Sequence, residues 1–283
     1  MKKFLTLLLA MLVVVTASMG LTACGKKDSK PMIVSDLVLA EEQYGIAAKK
    51  GNDALISKIN EALIALAGDG LDAVANPYGL KSEIAVTSST TNPKANASDD
   101  SWSSLVAREK VIIGYTIFAP IAYEVVDGQP TKGFDIDLAK AVFAYLNDTY
   151  STNISIEFQE IDWAAKESML EGGSIDLVWN GLTITAERLE NMCISVPYLN
   201  NKQVAVIMSK NADTYTDIDS MKEAIVGAER GSAGESIINS KNIGSEYVAY
   251  NSQLDAFTQL KAGNVEVIVI DSVMANYYIS LEK

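Results

Sequence analysis

From Lys110 onward the chain alternates two patterns, and this alternation limits the folds open to it. Short runs of apolar and β-branched residues (Val111–Tyr115, Ile154–Ile161, Ile175–Asn180, Gln203–Met208, Ile225–Glu229, Tyr247–Tyr250, Val265–Asp271) are separated by segments with apolar residues every three or four positions. In residues 135–147, Ile136, Ala139, Val142, Phe143 and Leu146 share one helical face, and residues 163–171 form a helix closed by Gly172-Gly173. Another helix carries Leu254, Phe257 and Leu260, and a last one follows Asp271. Strands alternating with helices predict parallel α/β sheets, and their number suffices for two, meeting near Tyr198–Gln203. Upstream, Leu55, Ile56, Ile59, Leu63 and Leu66 mark a helix over 53–67, and a shorter one over 71–80 breaks at Pro77. Thr87–Ser104 has no apolar period and reads as a linker.

The N-terminus points outward. Lys2 and Lys3 precede an uncharged apolar run, Phe4–Ala17, which ends in Leu21-Thr-Ala-Cys24. This reads as a secretory signal, too short and wrongly flanked for a permanent span. Its end resembles the bacterial lipobox, which implies cleavage before Cys24, lipid on that residue and a tether over 24–31. Loss of Lys2 and Lys3 takes the formal charge from −13 to −15, a poor balance for nucleic-acid binding. With Cys24 lipidated, Cys193 has no disulfide partner and reads as a small buried hydrophobe. The absence of histidine removes His-based triads and His metal sites. No cofactor or metal is expected.

Three places set polar groups just beyond strand ends, where open α/β sheets bind ligands. In Asp176–Arg188, an apolar strand is expected to break at Asn180-Gly181, with Thr185 as a helix N-cap. Arg188 then lies in a first turn, where the helix dipole disfavours a cation unless an anion is near. It is either a surface arginine or a bidentate carboxylate site. In Gly231-Ser232-Ala233-Gly234-Glu235, Ser232 and Glu235 match a capping box; this is either a plain cap or a cradle of N–H donors. Asp271 is either the N-cap of the next helix or a carboxylate facing a cation. Together the three offer what an α-amino acid zwitterion needs. Tyr115, Phe118, Tyr123 and Trp163 lie in loops that can wall a side-chain pocket or belong to the core.

At this point the sequence resembles the polar amino-acid-binding proteins of bacterial ABC importers, of two-lobed periplasmic-binding-protein fold. The matching residues are Gly133-Phe-Asp-Ile-Asp-Leu-Ala-Lys140, Asp176–Arg188, Ser195-Val-Pro-Tyr198, Gly231-Ser232 and Leu260-Lys-Ala-Gly263 to Asp271. The resemblance implies that Arg188, Thr183 and Ser232, with N–H groups such as that of Ala233, hold the ligand carboxylate. It implies that Asp271 and the Gly181 carbonyl take the ammonium, and that Tyr115, Phe118, Trp163 and Glu229 contact the side chain. Two departures from the family pattern, Cys193-Ile-Ser195 and Val196, leave the clamp untouched. Tyr115 replaces an acidic residue common in receptors for basic amino acids and argues against such a ligand, whereas Glu229 supplies another negative charge.

Chain order departs from the family. Glu42-Gln-Tyr-Gly-Ile-Ala-Ala-Lys-Lys-Gly51 and Leu55–Gly70 resemble the family's C-terminal segment, yet precede the first strand. The resemblance therefore implies a circularly permuted α/β fold. Lobe one is expected over 45–198 with a flexible linker at 86–108, and lobe two over 32–44 and 199–283 including the hinge. The function expected is that of a monomeric, lipid-anchored, extracytoplasmic receptor delivering an amino acid to an ABC permease. The alternative is a sensor of the same fold acting with a membrane signalling partner; an enzyme is not expected.

Overall fold

The computed structural model describes residues 32–282. The signal peptide, Cys24 and the tether lie outside the described residues. The strands are β1 (Met32–Lys49), β2 (Lys110–Tyr115), β3 (Tyr123–Val126), β4 (Gln129–Lys132), β5 (Ser155–Glu160), β6 (Leu177–Thr183), β7 (Met192–Ile194), β8 (Leu199–Met208), β9 (Ile225–Glu229), β10 (Glu246–Tyr250) and β11 (Val267–Asp271). The helices are α1 (Asp53–Leu66), α2 (Asp69–Ala75), α3 (Ser101–Arg108), α4 (Phe134–Tyr150), α5 (Lys166–Gly172), α6 (Ala186–Asn191), α7 (Ala233–Lys241), α8 (Gln253–Ala262) and α9 (Ser272–Leu281).

The α/β class and most elements follow the expected pattern, but the sheets do not separate. Hydrogen bonding runs unbroken through β10-β9-β11-β8-β1-β6-β2-β5, with β7 beside one end of β1 and β3-β4 as a separate hairpin. Two parallel halves, β10-β9-β11 and β6-β2-β5, are joined by the antiparallel pair β1 and β8. The segment Met32–Ala40, expected only as a short apolar stretch, is the start of the longest strand. Tyr44 pairs with Leu199 and Glu42 with Asn201, so the two long strands cross between the halves side by side. β1 bonds β8 and β6 in succession, which is why two expected sheets become one path.

Asn180-Gly181 does not end its strand. β6 continues to Thr183 because Gly181, at φ +63°, allows a bulge opposite Ile46 and the strand resumes pairing with Tyr44 and Gly45. A Cβ at Gly181 would sit 2.7 Å from the Phe118 ring and 3.1 Å from that of Tyr44. The partner strand lies far away in sequence, so no local signal announces the continuation.

The flexible linker expected at 86–108 is also corrected. It contains α3, whose Leu105 is buried, and its polar residues cap α1. Asn52, at the N-cap position, makes no side-chain cap. Instead the Asp99 carboxylate accepts from Ala54 N–H (2.7 Å) and Ser101 Oγ from Leu55 N–H (2.9 Å). Those are donors that a helix start leaves unpaired. The Asn92 amide donates to the Ser57 carbonyl (3.0 Å) and accepts from Asn60 (3.0 Å). The Ser/Thr/Asn/Asp composition therefore serves as a clasp. Beneath it, α1 packs Leu55, Ile56, Ile59 and Leu63 into the core shared with α4.

Candidate functional site

A narrow cleft lies between the two halves, at the crossing. It is lined by Thr116, Phe118, Trp163, Asn180, Gly181, Thr183, Arg188, Glu229, Ser232, Ala233, Gln253 and Asp271. All the residues expected to hold ligand are in this set except Tyr115. That side chain is fully buried and stands edge-on against Phe158, at a centroid distance of 6.3 Å. Its place in the core removes the basis for reading a tyrosine there as a signal against basic ligands. Tyr123 is also elsewhere, packed on Tyr277.

Arg188 is positioned from the first turn of α6. Thr185 caps that helix by accepting Arg188 N–H at 3.2 Å, as its sequence suggested. The guanidinium is buried; Nη1 donates to the Thr183 carbonyl (2.8 Å) and Nη2 to the Gly231 carbonyl across the cleft (3.1 Å). Burial lowers its pKa, and the negative charges of Glu42, Glu167 and Asp271 oppose that shift. The fork is thus fixed at the cleft wall.

On the opposite wall, Asp271 begins α9 but does not cap it. Asn201 does so instead, accepting from Ser272 Oγ (2.9 Å) and Val273 N–H (3.3 Å). The Asp271 carboxylate instead accepts from Tyr44 Oη (2.5 Å), Asn201 Nδ2 (2.7 Å) and Gln253 Nε2. These three donors fix its orientation. Behind it lies Glu42 on β1, hydrogen-bonded to Asp271 and pushed up to about 8 by burial and by the Asp271 charge.

Ser232 caps α7 by accepting Glu235 N–H at 3.2 Å. The Glu235 carboxylate reaches Gly231 N–H (2.6 Å), so this member of the expected donor cradle is already taken. Ala233 begins the helix, where an N–H has no intrahelical acceptor. Gly181 N–H is held by buried Asp135 (2.8 Å), which also accepts from Tyr198 Oη (2.7 Å). Burial pushes Asp135 up to about 7 against both hydrogen bonds.

Four contributors were not foreseen: Thr116, Asn180, Gln253 and Lys166. Thr116 and Asn180 bond each other (2.7 Å), and Gln253 bridges Asp271 from α8. Lys166, buried at the start of α5, donates to the Trp163 carbonyl (3.2 Å) and to the same Gly231 carbonyl as Arg188 (3.1 Å). Burial, then the charge of Arg188, lowers it to about 8. Its signal was available: like Arg188, it is a cation in a first turn, where the dipole disfavours one.

A wider groove along β7 and residues 90–94 holds Cys193, Asp53 and Lys94. Its charges pair with each other, since Asp53 takes both Lys94 and the Cys193 thiol (3.1 Å). Burial pushes that thiol up to about 12, which leaves it inert. Among the described residues, no His, Cys, Asp and Glu cluster is arranged to hold a metal, and no helix is long and apolar enough to cross a membrane.

The chain is 27% identical over 173 residues to ABC transporter arginine-binding protein 1 of Escherichia coli (strain K12), covering 61% of this chain and 68% of that one. It is 31% identical over 170 residues to a probable histidine-binding protein of Neisseria gonorrhoeae, covering 56% and 58%. The chain thus spans roughly three-fifths to two-thirds of these relatives. Among solved structures it resembles an ABC uptake transporter substrate-binding protein from Streptococcus pneumoniae with bound histidine. That match has a TM-score of 0.58 and 34% identity and covers 65% of this chain and 74% of the other. The profile of the bacterial extracellular solute-binding proteins, family 3, matches residues 111–268, more than half of the chain; the protein belongs to that family.

Proposed function

We propose that this protein captures a free α-amino acid in the cleft and presents it to an ABC permease. The observation that carries this reading is the convergence on one buried cleft of a fixed guanidinium (Arg188), a hydroxyl and helix start (Ser232, Ala233) and an orientated carboxylate (Asp271). A zwitterion's carboxylate meets Arg188, Thr183 and Ser232. Its ammonium meets Asp271 and the Gly181 carbonyl, and its side chain extends towards Phe118, Trp163 and Glu229. Relatives named for arginine, histidine, cystine and glutamine binding support the amino-acid class. Thermal melts against the free amino acids test it. At a hundredfold over Kd, a true ligand adds about 2.7 kcal/mol, and no response to any amino acid refutes the reading.

The same reading places the receptor outside the cytoplasm as a lipid-anchored monomer, held through Cys24. It also keeps the circular permutation, with lobe one over 45–198 and lobe two over 32–44 and 199–283. Two observations support that order. The family match begins only at residue 111, yet β1 is one of the two central strands. The C-terminal Leu281 and Glu282 share a surface pocket with Met32, so the two ends of the described chain are neighbours. Moving residues 32–86 behind residue 283 through a short linker is expected to give a folded protein of parental affinity; an unfolded product refutes the permutation.

A further inference from the structure

One carbonyl on one wall of the cleft holds two cations from the other. Gly231 follows β9, and its oxygen accepts from Arg188 Nη2 (3.1 Å) and from Lys166 Nζ (3.1 Å), both carried by the opposite wall. The approach is close. A Cβ at Gly231, which has φ +72°, would stand 3.2 Å from Ala164 Cα and 3.5 Å from Lys166 Nζ. A side chain there would be strained and would hold the two backbones apart.

Arg188 lines the cleft, whereas Lys166 stands outside its lining. Lysine is seldom buried without partners. Lys166 is 4% exposed, and among the described residues it forms no salt bridge. Its ammonium has two acceptors: the Trp163 carbonyl on its own wall (3.2 Å) and the Gly231 carbonyl across the cleft. It also lies over the Trp163 ring, 4.9 Å from the centroid. Parting the walls removes the second acceptor and uncovers the ammonium, which takes up water instead. The charge of Arg188 opposes that of Lys166. A solute carboxylate at Arg188 offsets this repulsion, so the Lys166 contact is strongest when the cleft is loaded.

Resting on the amino-acid reading above, we propose that Lys166 is a positioning residue that latches the loaded cleft shut through the Gly231 carbonyl, and so sets how long a solute stays without touching it. The latch grips the walls and not the solute. It therefore acts alike on every amino acid that the cleft accepts.

Lys166→Met keeps a long unbranched side chain and loses the donor. Stopped-flow binding of the amino acids that shift the melting curve tests it against the parent. Dissociation is expected to be about tenfold faster or more, by a similar factor for each amino acid, as befits the loss of one charge-assisted hydrogen bond. Association is expected to be unchanged or faster. Dyes on cysteines introduced at the exposed Ser168 and Ser240, one on each wall, read the separation of the walls by single-molecule energy transfer. The loaded variant is expected to spend more time open than the loaded parent. Dissociation within about twofold of the parent overturns the proposal. So does a rise confined to amino acids with large side chains at unchanged wall separation, which would assign Lys166 to holding the Trp163 ring. If Lys166→Met does not fold, Lys166→Leu, also without a donor, faces the same outcomes. If no amino acid binds, the amino-acid reading falls, and the dye pair still decides the latch: a variant as closed as the parent overturns it.

Discussion

Replacing Arg188 by alanine is the most direct challenge to the clamp. The guanidinium is 7% exposed and spans the cleft through the Thr183 and Gly231 carbonyls. In the variant, a ligand carboxylate entering the closed cleft meets hydroxyls and N–H groups but no charge. Removing one partner of a buried ion pair costs about 3–5 kcal/mol. At 1.4 kcal/mol per tenfold, that is roughly a 10²- to 10⁴-fold loss of affinity. Arg188→Lys keeps the charge and loses the planar fork, and should fall between. Without ligand, Arg188→Ala loses two charge-assisted hydrogen bonds, but Lys166 still binds the Gly231 carbonyl. The ligand-free melting temperature should therefore fall by only several degrees. Isothermal titration with the tightest-binding amino acid, alongside melting curves, separates the two effects. Affinity within a few-fold of the parent in a folded Arg188→Ala protein would refute the clamp.

Three further outcomes are expected. The melting temperature of the ligand-free protein should fall between pH 5 and pH 8. Glu42 and Glu229 are raised to about 8 and Asp135 to about 7, so the stability each contributes is complete below its unfolded pKa and is lost as pH climbs through the folded one. Asp53 and Asp99 are shifted down and have already made their contribution by pH 5, so a flat or rising calorimetric profile would contradict the burial of those carboxyls. Gly181→Ala should lose about 1–3 kcal/mol of stability together with ligand affinity, because its φ of +63° disfavours a side chain and the Phe118 ring blocks one; a chemical denaturation midpoint like the parent's would show the bulge to be soft. Asn92→Ala should cost about 1–3 kcal/mol in the same assay with ligand affinity intact. No change there would mean that the clasp over α1 contributes nothing.

Much of the site was legible because it sits where strands end and helices begin, and those ends have local signals. Thr185 and Ser232 are caps, Arg188 is a cation in a first turn, and Asp271 closes an apolar run. What was not legible depends on which distant segments meet. Gly181 looked like a turn because its partner strand is β1, before the first expected strand of the sheet. Asp271 looked like a helix cap until Asn201, arriving on β8, took that task. Tyr115 closes the expected strand and was read as reaching into the pocket beyond it, yet that strand turns the ring into the core beside Phe158. Residues 87–104 looked unstructured because a clasp made of hydrogen bonds has no apolar period.

The paired crossing of β1 and β8 has a mechanical consequence. A cleft that admits and releases a solute must open, and among the described residues the only continuous strands between its walls are these two, bonded to each other on both sides of the crossing. Opening is therefore expected to flex a two-stranded ribbon around Glu42–Tyr44 and Leu199–Asn201, with no free swivel. A ribbon bends readily across its flat face and resists shear along its length. The walls should part like the covers of a book, with Arg188 leaving Gly231 in a direction set by the ribbon, and the amide protons of the crossing should stay protected from exchange even when the cleft is open.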